Sequence, residues 1–237
     1  MEEYRNYCVI KTFGVTHSDV SGYIEGCVKG VEAEFCEDCL DGSLLIVNKD
    51  ASEVDFQSVV NRVTAGLKDC VYADYDTTIT ECFVEALKAK GETLGVAESL
   101  TGGMICSDIV SISGASAVLS EGVVTYTNSA KVRRLHVKSS SIEQYGAVSR
   151  QVAEEMAQGV LANRDITVAI ATTGCAGPDS DERGTPVGEA YIAVASREGY
   201  MKIYRLTLDG DRNNIRRTVA NAAQFYALKY LDKDKEL

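Results

Sequence analysis

Apolar and polar positions along the chain fall into short alternating blocks separated by stretches of helical periodicity. Residues 7–12 (YCVIKT) and 43–48 (SLLIVN) read as strands, 16–30 as a helix that begins near Thr16 and stops at Gly30, and 54–69 as a second helix. The pattern restarts after Asp74-Tyr75-Asp76. Thr78 to Glu81 has the form of a capping box, Ile79, Phe83, Ala86 and Leu87 recur at helical spacing, and Gly91 ends the run. A boundary is therefore expected near residue 75, dividing a small α+β domain (1–75) from a larger one (76–237).

In the larger part, strands at 93–97 (TLGVA), 121–126 (EGVVTY) and 166–172 (ITVAIAT) alternate with helices opening at Gly102-Gly103, Asn128 and Ser149. Such alternation predicts a layered α/β fold. Two neighbouring strands at 189–196 and 200–208 precede a long helix opening at Asp211. They suggest a hairpin, and so a mixed sheet.

Charge narrows the partners. The net charge is −11, and the first 75 residues hold six basic against fourteen acidic side chains, whereas a phosphate-backbone partner needs a basic surface. No nucleic-acid partner is expected. No stretch approaches the roughly 18 to 20 apolar residues of a membrane span, so a cytoplasmic protein with no membrane partner is expected. Eight cysteines (Cys8, Cys27, Cys36, Cys39, Cys70, Cys82, Cys106, Cys175) are too sparse for a disulfide scaffold, and reduced, buried thiols are the expectation.

The chemistry concentrates where strands end. Ala97-Glu98-Ser99-Leu100-Thr101-Gly102-Gly103 runs from a strand into a helix start, which places Ser99 at the carboxyl edge of the sheet, where open α/β sheets bind ligands. The glycines let backbone amides approach a ligand, and the helix start favours a phosphate or an oxyanion. Helix capping by Ser99 or Thr101 is the plainer alternative. A serine nucleophile needs a base, and the only histidines, His17 and His136, form no evident triad. Lys131, near the start of the helix that Asn128 would cap, can serve if the dipole and burial lower its pKa. Tyr126 could relay a proton or hold the lysine. A strand aromatic and a solvated lysine are the competing reading.

A second strand leads into Thr172-Thr173-Gly174-Cys175-Ala176-Gly177-Pro178 and a loop that continues to Gly188. A polar loop of this length suggests function, with ordinary turn chemistry as the alternative. Arg212, Arg216 and Arg217 open the last helix. Cations oppose the dipole there and hint at a bound anion, although an exposed basic face would look the same. Cys36 and Cys39 have CxxC spacing without a second pair or a histidine at finger spacing.

AESLTGG (97–103), GVVTYTNSAK (122–131), YGAVS (145–149), TTGCAGP (172–178), PVG (186–188) and GDR (210–212), in this order, resemble the C-terminal domain of the competence/damage-inducible CinA family, the nicotinamide mononucleotide deamidases. The likeness spans about residues 77–230. Residues 6–75, with KTFGV at 11–15, resemble the KH-like connecting domain that precedes it in full-length members. Their larger N-terminal domain, similar to molybdopterin-binding proteins, has no counterpart in these residues. Leu100 stands where members commonly have cysteine, and the small domain lacks an obvious GxxG loop.

The resemblance implies an amidase that converts nicotinamide mononucleotide to nicotinate mononucleotide and ammonia, with no metal or other cofactor. Ser99 would be the nucleophile, activated by Lys131 and Tyr126, and Thr173 and Arg212 would hold the nucleotide, Arg212 through its phosphate. Thr101, Gly102, Gly103, Gly174 and Gly177 complete the expected binding set, and a homo-oligomer is expected. Two other readings stay open: a non-catalytic nucleotide-binding regulatory module, and a redox- or metal-responsive adaptor built on Cys36 and Cys39.

Overall fold

A computed structural model describes residues 7–24 and 28–232. The chain divides into two compact units, 1–82 and 83–237.

The first unit contains β1 (Tyr7–Phe13), α1 (His17–Ile24), β2 (Val31–Asp38), β3 (Asp41–Asn48), α2 (Glu53–Gly66) and β4 (Val71–Ala73). The sheet runs β2-β3-β1-β4 with every pair antiparallel. This α+β unit has the order of a split βαβ arrangement. Ile10, Leu44 and Ile46 on one sheet face pack with Val20 of α1 and with Phe56, Val59 and Val63 of α2. The three α2 positions recur at helical spacing, and Ser52 caps that helix by accepting from the Asp55 amide at 3.2 Å.

The sequence reading missed β2 and β4. Of the expected helix over 16–30, His17–Ile24 is helical and residues 28–30 are not, and 25–27 (including Cys27) lie outside the described residues. β2 forms a hairpin with β3 through Cys39 (φ 50°) and Leu40 (φ 64°). Two-residue hairpin turns with positive φ at both positions are usually built from Asn and Gly. The CxxC pair thus lies at a hairpin tip: Cys36 is exposed, and of the described cysteines only Cys175 is buried, against the expectation that most would be.

α3 (Ile79–Lys90) carries the division between the units. Its capping box is formed, with Thr78 Oγ1 accepting from the Glu81 amide at 3.2 Å and Glu81 Oε2 accepting from the Thr78 amide at 2.8 Å. The second unit continues with β5 (Leu94–Glu98), α4 (Met104–Val110), β6 (Leu119–Val124), α5 (Asn128–Leu135), α6 (Ser139–Tyr145) and α7 (Arg150–Leu161). β7 (Val168–Gly174), β8 (Glu189–Ser196), β9 (Met201–Thr207) and α8 (Arg212–Leu231) complete it.

Its sheet runs β6-β5-β7-β8-β9. β5 is parallel to both β6 and β7, and β7-β8 and β8-β9 are antiparallel, which is the expected mixed sheet. α7 lays Val152, Ala153, Met156 and Ala157 onto Ala97, Ala169, Ala171, Ala193 and Ala195. The alternate positions Ile170, Ile192 and Val194 are equally buried. Successive strand residues face opposite ways, so both faces are covered, and α8 packs against β7 and β8. No helix of the described residues is long and apolar enough to cross a membrane.

Candidate active site

Ser99 follows the last residue of β5, and its amide donates to the Thr172 carbonyl on β7 at 3.1 Å. The turn that follows needs left-handed backbone at Gly102 (φ 61°) and Gly103 (φ 94°), which glycine adopts without Cβ strain. Glu98, completely buried, turns its carboxylate onto the start of α4. It accepts from the amides of Gly103 (2.8 Å), Ile105 (3.3 Å) and Cys106 (3.0 Å), and the Gly102 amide donates to the Ser99 carbonyl at 3.1 Å.

This corrects the expected part of Gly102 and Gly103. Their amides, and the positive end of α4, already serve internal acceptors. No acceptor among the described residues takes the amides of Leu100, Ala176 or Gly177. The Leu100 amide, directly after Ser99, stands where an oxyanion donor is commonly found.

Opposite Ser99 stands the start of α5. Thr127, not Asn128, caps this helix by accepting from the Ala130 amide, which fixes Lys131 in the first turn and points it inward. Lys131 is 1% exposed. Its Nζ donates to Ser99 Oγ at 2.9 Å and to the Thr125 carbonyl at 2.8 Å, and lies 3.5 Å from the Tyr126 carbonyl. No carboxylate pairs with it among the described residues. Burial alone pushes its pKa down to about 8, because the ammonium loses hydration that carbonyls and a hydroxyl replace only in part.

Tyr126 is placed differently from the proton relay offered by the sequence. Its side chain is exposed, and its phenolic oxygen accepts from Arg212 at 2.9 Å; only its main-chain carbonyl approaches Lys131. Arg212, the first residue of α8, also donates to the Gly177 carbonyl at 2.6 Å. One guanidinium therefore joins the turn after β6, the glycine loop and the start of α8.

Two expected binding residues are turned inward. Thr101 is fully buried, its hydroxyl 2.8 Å from that of Thr172. Thr173 is 1% exposed and donates to the Ala147 carbonyl at 2.7 Å. Gly174, half-buried, closes the β7 ladder opposite Ala190. The loop after β7 is internally bonded: Asp181 accepts from the amides of Arg183 and Thr185 and from the Thr185 hydroxyl. Arg183 donates to the carbonyls of Glu143 and Gln144 on α6.

Glu98 escaped the sequence reading, signalled only by being an acidic residue ahead of a helix start. Arg216 was read there as one of three cations hinting at an anion, and its partners on the turn are backbone carbonyls. Arg216 donates to the carbonyls of Leu100 (2.9 Å) and Thr101 (3.2 Å), while Arg217 pairs with Asp108 of α4 at 2.5 Å.

A buried serine–lysine pair at the carboxyl edge of a doubly covered mixed sheet defines the class of domain. The chain belongs to the CinA family: the family model of the CinA C-terminal domain matches residues 76–231. It is 35% identical to a CinA-like protein of Kosmotoga olearia over 78% of the chain, and 37% identical to one of Dictyoglomus turgidum over 71%. The chain spans only 43% and 41% of the lengths of these two curated relatives.

Among solved structures, it is similar to the competence-damaged protein (CinA) superfamily protein of Klebsiella pneumoniae. There the TM-score is 0.63 and the identity 31%, over 65% of this chain and 96% of that one. The competence/damage inducible protein CihA of Agrobacterium tumefaciens gives a TM-score of 0.62 at 35% identity, over 65% and 93%.

Proposed function

We propose that the second unit is a nicotinamide-nucleotide amidase. The observation that carries this reading is the 2.9 Å contact between the buried Lys131 Nζ and Ser99 Oγ, where burial has brought the amine within reach of neutrality at physiological pH. A general base works best with a pKa near the working pH.

Ser99 Oγ attacks the carboxamide carbon while neutral Lys131 takes its proton. The developing oxyanion is received by the Leu100 amide, with the 176–177 amides as further donors. Lys131 then gives its proton to the departing nitrogen, ammonia leaves, and an acyl-Ser99 remains. Water attacks that ester, Lys131 accepts its proton and returns it to Ser99 Oγ, and nicotinate mononucleotide is released. Arg212 is exposed and carries donors beyond those bonded to Gly177 and Tyr126, which suits it to the phosphate. The nicotinamide nucleotide itself comes from the family resemblance.

The test is ammonia release from nicotinamide mononucleotide, with free nicotinamide as comparison. Wild-type protein is expected to prefer the nucleotide, and Ser99→Ala to lose turnover. Wild-type turnover by Ser99→Ala would remove the nucleophile assignment, and preference for the free base would remove the phosphate role of Arg212.

A further inference from the structure

Helix α8 lies far from Ser99 in sequence, yet Arg216 reaches the residues that follow the serine. Its Nε donates to the Leu100 carbonyl at 2.9 Å and one terminal nitrogen to the Thr101 carbonyl at 3.2 Å; the other terminal nitrogen is 3.2 Å from Asn213 Oδ1. The backbone leaves room for this. A Cβ at Gly102 would come within 3.3 Å of the guanidinium, in addition to its left-handed φ.

Peptide planarity extends the effect. The carbonyl of each trans peptide points opposite to the N–H it shares a plane with, so fixing the Leu100 and Thr101 carbonyls also fixes the Thr101 and Gly102 amides. The Gly102 amide donates back to the Ser99 carbonyl, and that carbonyl shares its plane with the Leu100 amide. A chain of fixed peptide planes thus leads from Arg216 to the residue bearing Oγ.

We propose that Arg216 is a positioning residue for the nucleophile: it holds the 99–102 turn so that Ser99 Oγ stays on Lys131 Nζ and the Leu100 amide keeps its direction. A lysine reproduces this only in part, because its single ammonium lacks the spaced, planar donors with which a guanidinium meets two carbonyls at once. Neighbouring Arg217 shows the contrast, since its ion pair with Asp108 joins α8 to α4 and no hydrogen bond among the described residues joins it to the turn.

The inference rests on Ser99 being a nucleophile activated by Lys131, and it does not need the substrate to be a nicotinamide nucleotide. Its test therefore uses phenylmethylsulfonyl fluoride as well as ammonia release. In the labelling reaction Ser99 Oγ forms a bond to sulfur, the S–F bond breaks, fluoride leaves, and the serine proton passes to Lys131.

Labelling of Ser99 followed by mass is expected to slow roughly 10- to 100-fold in Arg216→Gln, the range that a small misplacement of a reacting group produces. Arg216→Lys should recover part of the rate, and Arg217→Gln should label as wild type. In the amidase assay Arg216→Gln should lower kcat with KM unchanged. Wild-type labelling by Arg216→Gln, or equal slowing in Arg217→Gln, would overturn the proposal. If circular dichroism shows Arg216→Gln unfolded, Arg216→Lys decides, with a several-fold slower rate supporting the proposal and a wild-type rate sinking it. Ser99 labelling without ammonia release would remove the substrate reading alone.

Discussion

Arg212 donates to the phenolic oxygen of Tyr126 at 2.9 Å, so the tyrosine is held by the residue proposed to meet the phosphate and not by the lysine proposed as base. Tyr126→Phe should then act on binding. One hydrogen bond of this kind is worth about 1 kcal/mol, so KM for the nucleotide is expected to rise several-fold with kcat within about threefold of wild type. Steady-state kinetics decide; a hundredfold fall in kcat at constant KM would return the proton relay to Tyr126.

As the proposed base, Lys131 should make activity depend on alkalinity. With its pKa near 8, kcat/KM should climb with pH and level off above that value. A flat profile from pH 6 to 9 would exclude Lys131 as the titrating base.

The same shift bears on stability. The folded state releases the lysine proton near pH 8, whereas the unfolded chain keeps it to about 10.5, so the unfolded state binds more protons in between and stability rises with pH across that window. Comparing urea denaturation of wild type and Lys131→Met, the difference should move in favour of wild type by about 3 kcal/mol as pH is raised from 7 to 10.5. A constant difference would show that burial does not depress this amine.

Glu98→Gln replaces a carboxylate that accepts three amides with a group that turns its own N–H donors toward some of them. A loss of about 2 kcal/mol or more is expected in chemical denaturation. Unchanged stability would mean that the start of α4 finds other partners.

Thr101→Val separates structure from recognition. The hydroxyl bonded to Thr172 is lost within the interior, so stability should fall by about 1 kcal/mol while KM stays within twofold. A large KM increase would bring Thr101 back into the binding set.

Much of this architecture can be read along the chain because local signals agree with tertiary packing. β8 spans 189–196 as the apolar block suggests, and α3 and α7 begin where their caps stand. β2 was illegible because the turn closing its hairpin uses cysteine and leucine in place of the usual Asn-Gly, and β4, at three residues, is too short to show a period. Ser99 and Lys131 could be named from strand ends and the family resemblance. Their partners could not: the Tyr126 phenol and the Thr101 hydroxyl each had two plausible directions, nothing in the sequence aimed the Glu98 carboxylate, and only the packing of α4, α5 and α8 selects one for each.

The carboxylate of Glu98 has a further consequence for how the protein would meet a charged substrate. With the amides opening α4 occupied from within, attraction of an anion at this turn falls to exposed guanidinium at Arg212. Charges in water lose their influence beyond a Debye length of about 8 Å at physiological ionic strength, while buried pairs are screened far less. Raising salt should therefore weaken capture of the nucleotide and leave the step between Lys131 and Ser99 untouched, so that ionic strength tunes how often the site is filled and alkalinity how fast it works.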